Sequence, residues 1–194
     1  MIEQIIQEIE QHGFSYLQDV ISADDLAQIQ TLFENGFRPA RVGKDDGPKR
    51  VDEIRGDWIQ WLEPSSPPIE LKNQIQFLDD LKSTLNERFY LGLKDFECHL
   101  AKYPAGTFYK KHLDRFEKDS SRSVSFIFYL HEKWDEVDGG ELVLYGQDNE
   151  IIQTIIPLPG SLIVFLSEEF PHEVKVCHKE RRSLTGWMHT KILS

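Results

Sequence analysis

The chain has 194 residues, 40% of them hydrophobic, with four Trp and twelve Phe, which suits one domain with a well-filled core, and a two-domain enzyme is not expected. Its 33 acidic and 22 basic side chains give a net charge of −11, so the generic attraction to a phosphate backbone is missing and nucleic acid is excluded as a first reading of its partner. Two cysteines, Cys98 and Cys177, are too few for a disulfide framework and lack Cys-x-x-Cys spacing, so they read as reduced, half-buried strand residues.

The N-terminal segment MIEQIIQEIEQ carries Ile2, Ile5, Ile6 and Ile9 at helical spacing between Glu and Gln, which predicts an amphipathic helix and not a secretory leader. No apolar run approaches the roughly 20 residues of a membrane span. A cytoplasmic protein with no membrane partner is expected. GFSYLQDV alternates as a short strand does, and Ser22 is placed to cap a second helix with Leu26, Ile29, Leu32 and Phe33 on one face, ending near Gly36.

From Arg38 to Asp57 the sequence RPARVGKDDGPKRVDEIRGD is rich in Gly, Pro and charge and long for a plain connection, which marks a candidate mobile loop. After the Pro-rich turn EPSSPP, Leu71, Ile75, Leu78, Leu81 and Leu85 repeat at the steps of a third helix. Residues 1–92 are therefore expected to form a helical support layer. The sequence has no internal repeat or low-complexity tract.

From about Phe96 the pattern changes to period two, rich in Val, Ile, Phe and Tyr. Eight strands are predicted: ECHLAKY, TFYKKHL, RSVSFIFYL, ELVLYG, EIIQTII, SLIVFL, HEVKVC and RRSLTGWMH. Such a series over about residues 96–190 suggests a barrel or jelly roll whose mouth holds a small ligand.

In FYKKHLD, His112 and Asp114 stand two residues apart on a predicted strand and so share a face. Downstream, FPHEV supplies His172, and the three together make a two-histidine, one-carboxylate set of the kind that leaves positions open on non-heme Fe(II). A His-x-Asp pair is common by chance, so the specificity comes from further residues. Arg181 opens the last strand and shares a face with Ser183, Thr185 and Trp187. An inward Arg needs an anion, and its planar fork suits a carboxylate, which points to a dicarboxylate co-substrate held between metal and Arg181. Tyr129 has the parity to add a second donor to that carboxylate, and Tyr103 is placed to line the same pocket.

HLD, HEV and RRSLTGW, in this order and spacing, resemble the prolyl 4-hydroxylase-like 2-oxoglutarate oxygenases. IRGDWIQWLE, AKYPAGTFYKKHLD, FIFYL, WDEVDGGELVLY and FPHEV are similar to the Egl-nine branch of protein prolyl hydroxylases over roughly Gly13 to His189. The resemblance implies an α+β, mainly β chain: a double-stranded β-helix core with supporting N-terminal helices. It implies Fe(II) at His112, Asp114 and His172, and 2-oxoglutarate contacted by Tyr103, Tyr129 and Arg181, with Arg182 pointed outward by parity. It further implies an O2-consuming hydroxylation of a prolyl residue in a protein or peptide, yielding succinate and CO2, with ascorbate as a reductant. Arg55, Asp57, Trp61, Arg122 and Trp187 become candidates for shaping the substrate cleft, and the loop before Arg55 resembles the family's substrate-covering loop. Animal members continue past the last strand into a segment that contributes to substrate binding, whereas this sequence runs to Ser194. A monomer is expected.

Plainer readings stand beside these. His112 and Asp114 alone make an ordinary surface pair, Arg55 and Asp57 a salt bridge at the Gly56 turn, and Trp61 a core residue. His131, His178 and His189 have no partner at ligand spacing and read as solvated or hydrogen-bonded, and Lys175 and Lys179 as solvated. The same cofactors can serve a small-molecule substrate, and the barrel can serve as a non-catalytic binding or sensing module. Zinc hydrolysis gives no reason for an inward Arg and Tyr.

Overall fold

Period-three and period-two segments of the sequence become, in the computed structural model, two layers of helix and sheet; residues 1–40, 53–114 and 121–192 are described. The candidate mobile loop lies mostly outside the described residues.

Helix α1 (Ile2–His12) buries Ile5, Ile6 and Ile9 and ends at Gly13, whose φ of 75° lets its N–H return to the Ile9 carbonyl. After strand β1 (Phe14–Leu17), Ser22 caps α2 (Ala23–Ile29) by accepting from the Asp25 N–H at 3.1 Å. The pattern that reads as one helix through Phe33 is in fact this short helix followed by a tighter 3-10 turn over Gln30–Phe33. Helix α3 (Lys72–Phe89) buries Ile75, Leu78, Leu81 and Leu85, as its spacing predicts.

All eight predicted strands form: β4 (Asp95–Tyr103), β5 (Tyr109–His112), β6 (Arg122–Tyr129), β7 (Leu142–Tyr145), β8 (Ile151–Ile155), β9 (Leu162–Leu166), β10 (His172–Val174) and β11 (Arg181–His189). Two strands of the N-terminal part are additions: β2 (Arg38–Pro39) and β3 (Trp58–Leu62). The expected helical support layer thus also lends strands to the sheet. The larger sheet runs β1-β9-β6-β11-β4-β3-β2 and the smaller runs β5-β10-β7-β8, with antiparallel pairing. The later strands divide four to each sheet, which is the double-stranded β-helix.

Alternation along the larger sheet sorts side chains into two cores. Phe126, Phe128, Leu184 and Met188 pack against α1 and α3, while Ile127, Tyr129, Ile163 and Phe165 face the smaller sheet. Cys98 and Cys177 are free, but both are fully buried, not half-buried, and Cys177 lies past the end of β10 in an isolated bridge to Gly139. Among the described residues no helix is long and apolar enough to cross a membrane.

Candidate active site

Strands β5 and β10 are neighbours, and their register sets His172 directly opposite His112. Asp114 lies just past the end of β5, in a bend and not on the strand itself. Nδ1 of His112 meets the Lys110 carbonyl at 2.8 Å, and Nδ1 of His172 meets the Phe170 carbonyl at 3.0 Å. A carbonyl only accepts, so each Nδ1 carries the proton and each Nε2 keeps its lone pair for a metal. The Nε2 atoms lie 3.4 and 3.5 Å from the Asp114 carboxylate oxygens, and the ligand atoms of all three residues fall within 4.8 Å of one another. This is the spacing of a set that converges on one ion.

Ser125 donates to Asp114 Oδ2 at 2.8 Å and sits 2.8 Å from the Ser167 hydroxyl, which fixes the carboxylate from behind. Burial alone would raise the Asp114 pKa, but His172 and His112 hold it well below the usual carboxylate range. Burial pulls His172 down to about 4 against the attraction of Asp114, so it is neutral at pH 7, the form that binds a metal.

Arg181 opens β11 and is 1% exposed, with no hydrogen-bond partner for Nε or Nη2 among the described residues. Its guanidinium carbon lies 5.1 Å from the Tyr103 ring centre and 4.8 Å from that of Tyr129, whose hydroxyl is also unpartnered. Burial pushes the Tyr129 hydroxyl up to about 12 despite nearby Arg181, and Tyr103 well above its usual value, so both stay protonated donors. The Arg181 stem passes the bare backbone of Gly140, where an added Cβ would stand 3.2 Å from Arg181 Cδ and 2.9 Å from Cys177 Sγ. Arg182 turns to the other face and bonds Glu180 and Gln30, each at 2.8 Å.

One cavity of about 1020 Å³ joins these groups: the three ligand residues, Tyr103 and Arg181 all line it. Arg55, Trp61, Arg122 and Trp187 line it too, whereas Asp57 does not. Asp57 is 3% exposed and grips Arg55 by two bonds, 2.7 Å from Nε and 2.6 Å from Nη2, so it acts on the cavity through that arginine. Trp61 is 52% exposed and is not a core residue. Arg122 stacks 3.6 Å from the Trp187 ring centre and reaches Glu97 at 3.1 and 2.5 Å. His131 and His189 are buried and have hydrogen-bond partners, and His178 meets the Val137 carbonyl.

Sequence reasoning missed Tyr109, whose ring stacks on His112 at 3.7 Å, and the inward His99. Tyr109 and His112 differ in parity, but the pairing of β5 with β10 slips by one residue between them, and this bulge turns both to the same side.

Glu97 makes a pH prediction. Burial alone would raise its carboxyl, but His189, at 3.2 Å, and Arg122 bring it down to about 2. A depressed folded value stabilises the fold above the unfolded value of about 4.3 and loses that contribution as pH falls towards 2. Glu97→Gln is therefore expected to be less stable than the parent at pH 6 to 7, with the gap closing between about pH 4.5 and 2 in urea unfolding. A gap that does not vary with pH would contradict the assignment.

A double-stranded β-helix whose interior joins two histidines and a carboxylate to a buried arginine with two nitrogens left unpartnered among the described residues is the frame of a non-heme iron protein with a dicarboxylate co-substrate. Comparison with known proteins gives the same answer: residues 98–189 match the 2OG-Fe(II) oxygenase superfamily. The crystal structure of a Pseudomonas putida prolyl-4-hydroxylase superposes with a TM-score of 0.85 at 37% identity, covering 99% of this chain and 100% of that one. A Trichoplax adhaerens prolyl hydroxylase, in complex with a hypoxia inducible factor oxygen degradation domain peptide fragment, superposes with a TM-score of 0.84 at 26% identity, over 97% and 89% of the two chains. Human Egl nine homolog 1 is 30% identical over 96% of this chain and 46% of its own length. The chain belongs to the 2OG-Fe(II) oxygenase superfamily, which brings Fe(II), 2-oxoglutarate and O2 with it. It spans 28 to 49% of the length of the first curated relatives it matches.

Proposed function

We propose that this chain is a 2-oxoglutarate-dependent dioxygenase that hydroxylates a prolyl residue of a protein or peptide. The balance is one O2 and one 2-oxoglutarate consumed, one oxygen atom placed on the proline, and succinate and CO2 released. The observation that carries the reading is the meeting, in one cavity, of the His112, Asp114 and His172 set with an Arg181 that has donors left over. The prolyl substrate rests on relatives that are themselves prolyl hydroxylases.

His112, Asp114 and His172 would hold Fe(II), and the donors of Arg181 and the Tyr129 hydroxyl would take the far carboxylate of 2-oxoglutarate, with Tyr103 forming a wall of that pocket. The iron, when bound, supplies the oxidative chemistry. Two carbonyls fix the histidine rings, Ser125 fixes the carboxylate, and the apolar walls limit water. The outer cavity, with Trp61 and Trp187 and with Arg55 and Arg122 held by Asp57 and Glu97, offers apolar faces and charge to a peptide. Ascorbate would be the reductant available to the iron held by His112, Asp114 and His172. Two buried free cysteines support a reducing, cytoplasmic setting.

The test is anaerobically purified protein given Fe(II), 2-oxoglutarate and O2, with and without a proline-containing peptide library. Succinate with a peptide heavier by one oxygen on proline is the expected result. Succinate raised only by a small molecule would replace the peptide substrate. The absence of both iron binding and succinate would leave a non-catalytic binding module.

A further inference from the structure

The inner face of β4 carries a buried polar side chain that the fold does not use. His99 is 3% exposed and lines the cavity, level with Trp61 on β3 and Thr185 on β11. Its ring lies 4.8 Å from that of Trp61 and 5.5 Å from that of Trp187. Nδ1 is shut off from solvent and has no hydrogen-bond partner among the described residues. Burial pulls the imidazole down to about 4, Asp57 working the other way, so at neutral pH the ring is uncharged and offers one donor and one acceptor.

A residue needed only to fill the space beside two indoles is better as Phe or Leu, because a buried nitrogen without a partner is destabilising. The missing partner is then brought by whatever enters the cavity. A prolyl ring suits the aromatic faces of Trp61 and Trp187, but its nitrogen is a tertiary amide with no N–H. The peptide group on the C-terminal side of a proline is a secondary amide with both N–H and C=O. Its N–H can be accepted by Nδ1 of the imidazole when the ring proton sits on Nε2.

We propose that His99 is a specificity-determining residue that hydrogen-bonds the peptide group following the target proline. The inference rests on the prolyl reading above.

The test is a cycle on kcat and KM with a hydroxylated peptide and its analogue carrying an ester in the linkage after proline. Each is run on the parent, His99→Phe and His99→Asn, with the 2-oxoglutarate-dependent thermal shift measured on each variant as a check of folding. The parent is expected to lose about tenfold in kcat/KM on the ester, mainly through KM, as loss of one buried hydrogen bond implies. His99→Phe keeps the ring and is expected to lose a similar factor on the amide and almost nothing more on the ester. His99→Asn, which keeps a polar group, should fall between. A His99→Phe variant equal to the parent on the amide, or one whose ester penalty is undiminished, would overturn the proposal. A parent that oxidises no proline peptide sinks the prolyl reading and this inference together, whereas independent, multiplying losses sink this inference alone.

Discussion

Replacing Arg181 by methionine is expected to abolish the response to 2-oxoglutarate while leaving the cofactor-free chain as stable as the parent or more so. The guanidinium is 1% exposed, and two of its nitrogens lack partners among the described residues, so without a carboxylate bound to it, it is a buried charge with its desolvation largely uncompensated. Substituting an apolar chain of similar length at such a site is often neutral or stabilising, whereas losing one partner of a buried pair costs about 3–5 kcal/mol. The KM for 2-oxoglutarate should therefore rise by roughly two orders of magnitude or more. Anaerobic melting with Mn(II), with and without 2-oxoglutarate, checks both halves. The parent should gain in melting temperature on adding 2-oxoglutarate and Arg181→Met should not. An unfolded variant would mean that Arg181 is structural, and a retained shift would place the far carboxylate elsewhere.

A larger loss is expected at the carboxylate of the iron set. Asp114→Ala leaves two imidazoles and removes the carboxylate of the three-residue set, so iron content should fall towards zero and succinate formation by at least about a thousandfold. Ser125→Ala supplies the graded comparison. Its hydroxyl donates to Asp114 Oδ2 and Ser125 is not one of the three ligand residues, so iron affinity should drop by about 10- to 100-fold while activity returns at high iron. Metal analysis after gel filtration, with succinate measured against added Fe(II), separates the two. Equal losses in both variants would show that Ser125 does more than orient the carboxylate.

Legibility in the sequence followed the quality of each alternation. Period two set the eight strands of the β-helix and, on β11, sent Arg181 inward and Arg182 to the helical side, because that strand is packed on both faces along its whole length. Strand β3 was not legible. WIQWL is half-covered on both faces, so neither face shows a clean apolar set. Tyr109 was hidden by the bulge in β5, since one extra residue inverts the parity that strand reasoning depends on. The resemblance implies a cleft position for Asp57, but its bond to Arg55 leaves it 3% exposed and outside the cavity lining. His99 shares the parity of Ala101 and Tyr103 and so was within reach of the same reasoning. A single histidine without a second ligand at metal spacing carries little signal on its own, so the sequence does not single it out.

Strand β11 is held by nine aligned pairs to β4 and seven to β6, so its two faces are locked relative to both neighbours. For the inheritance of this chain, the consequence is that length changes in β11 are more dangerous than exchanges of residues. Deleting one residue ahead of Arg182 would leave a guanidinium near the pocket, because the arginines are consecutive, but would turn Leu184 and Met188 into the cavity and Thr185 and Trp187 into the helices. Point substitutions on either face disturb one core at a time; a frame slip within the strand would exchange them both.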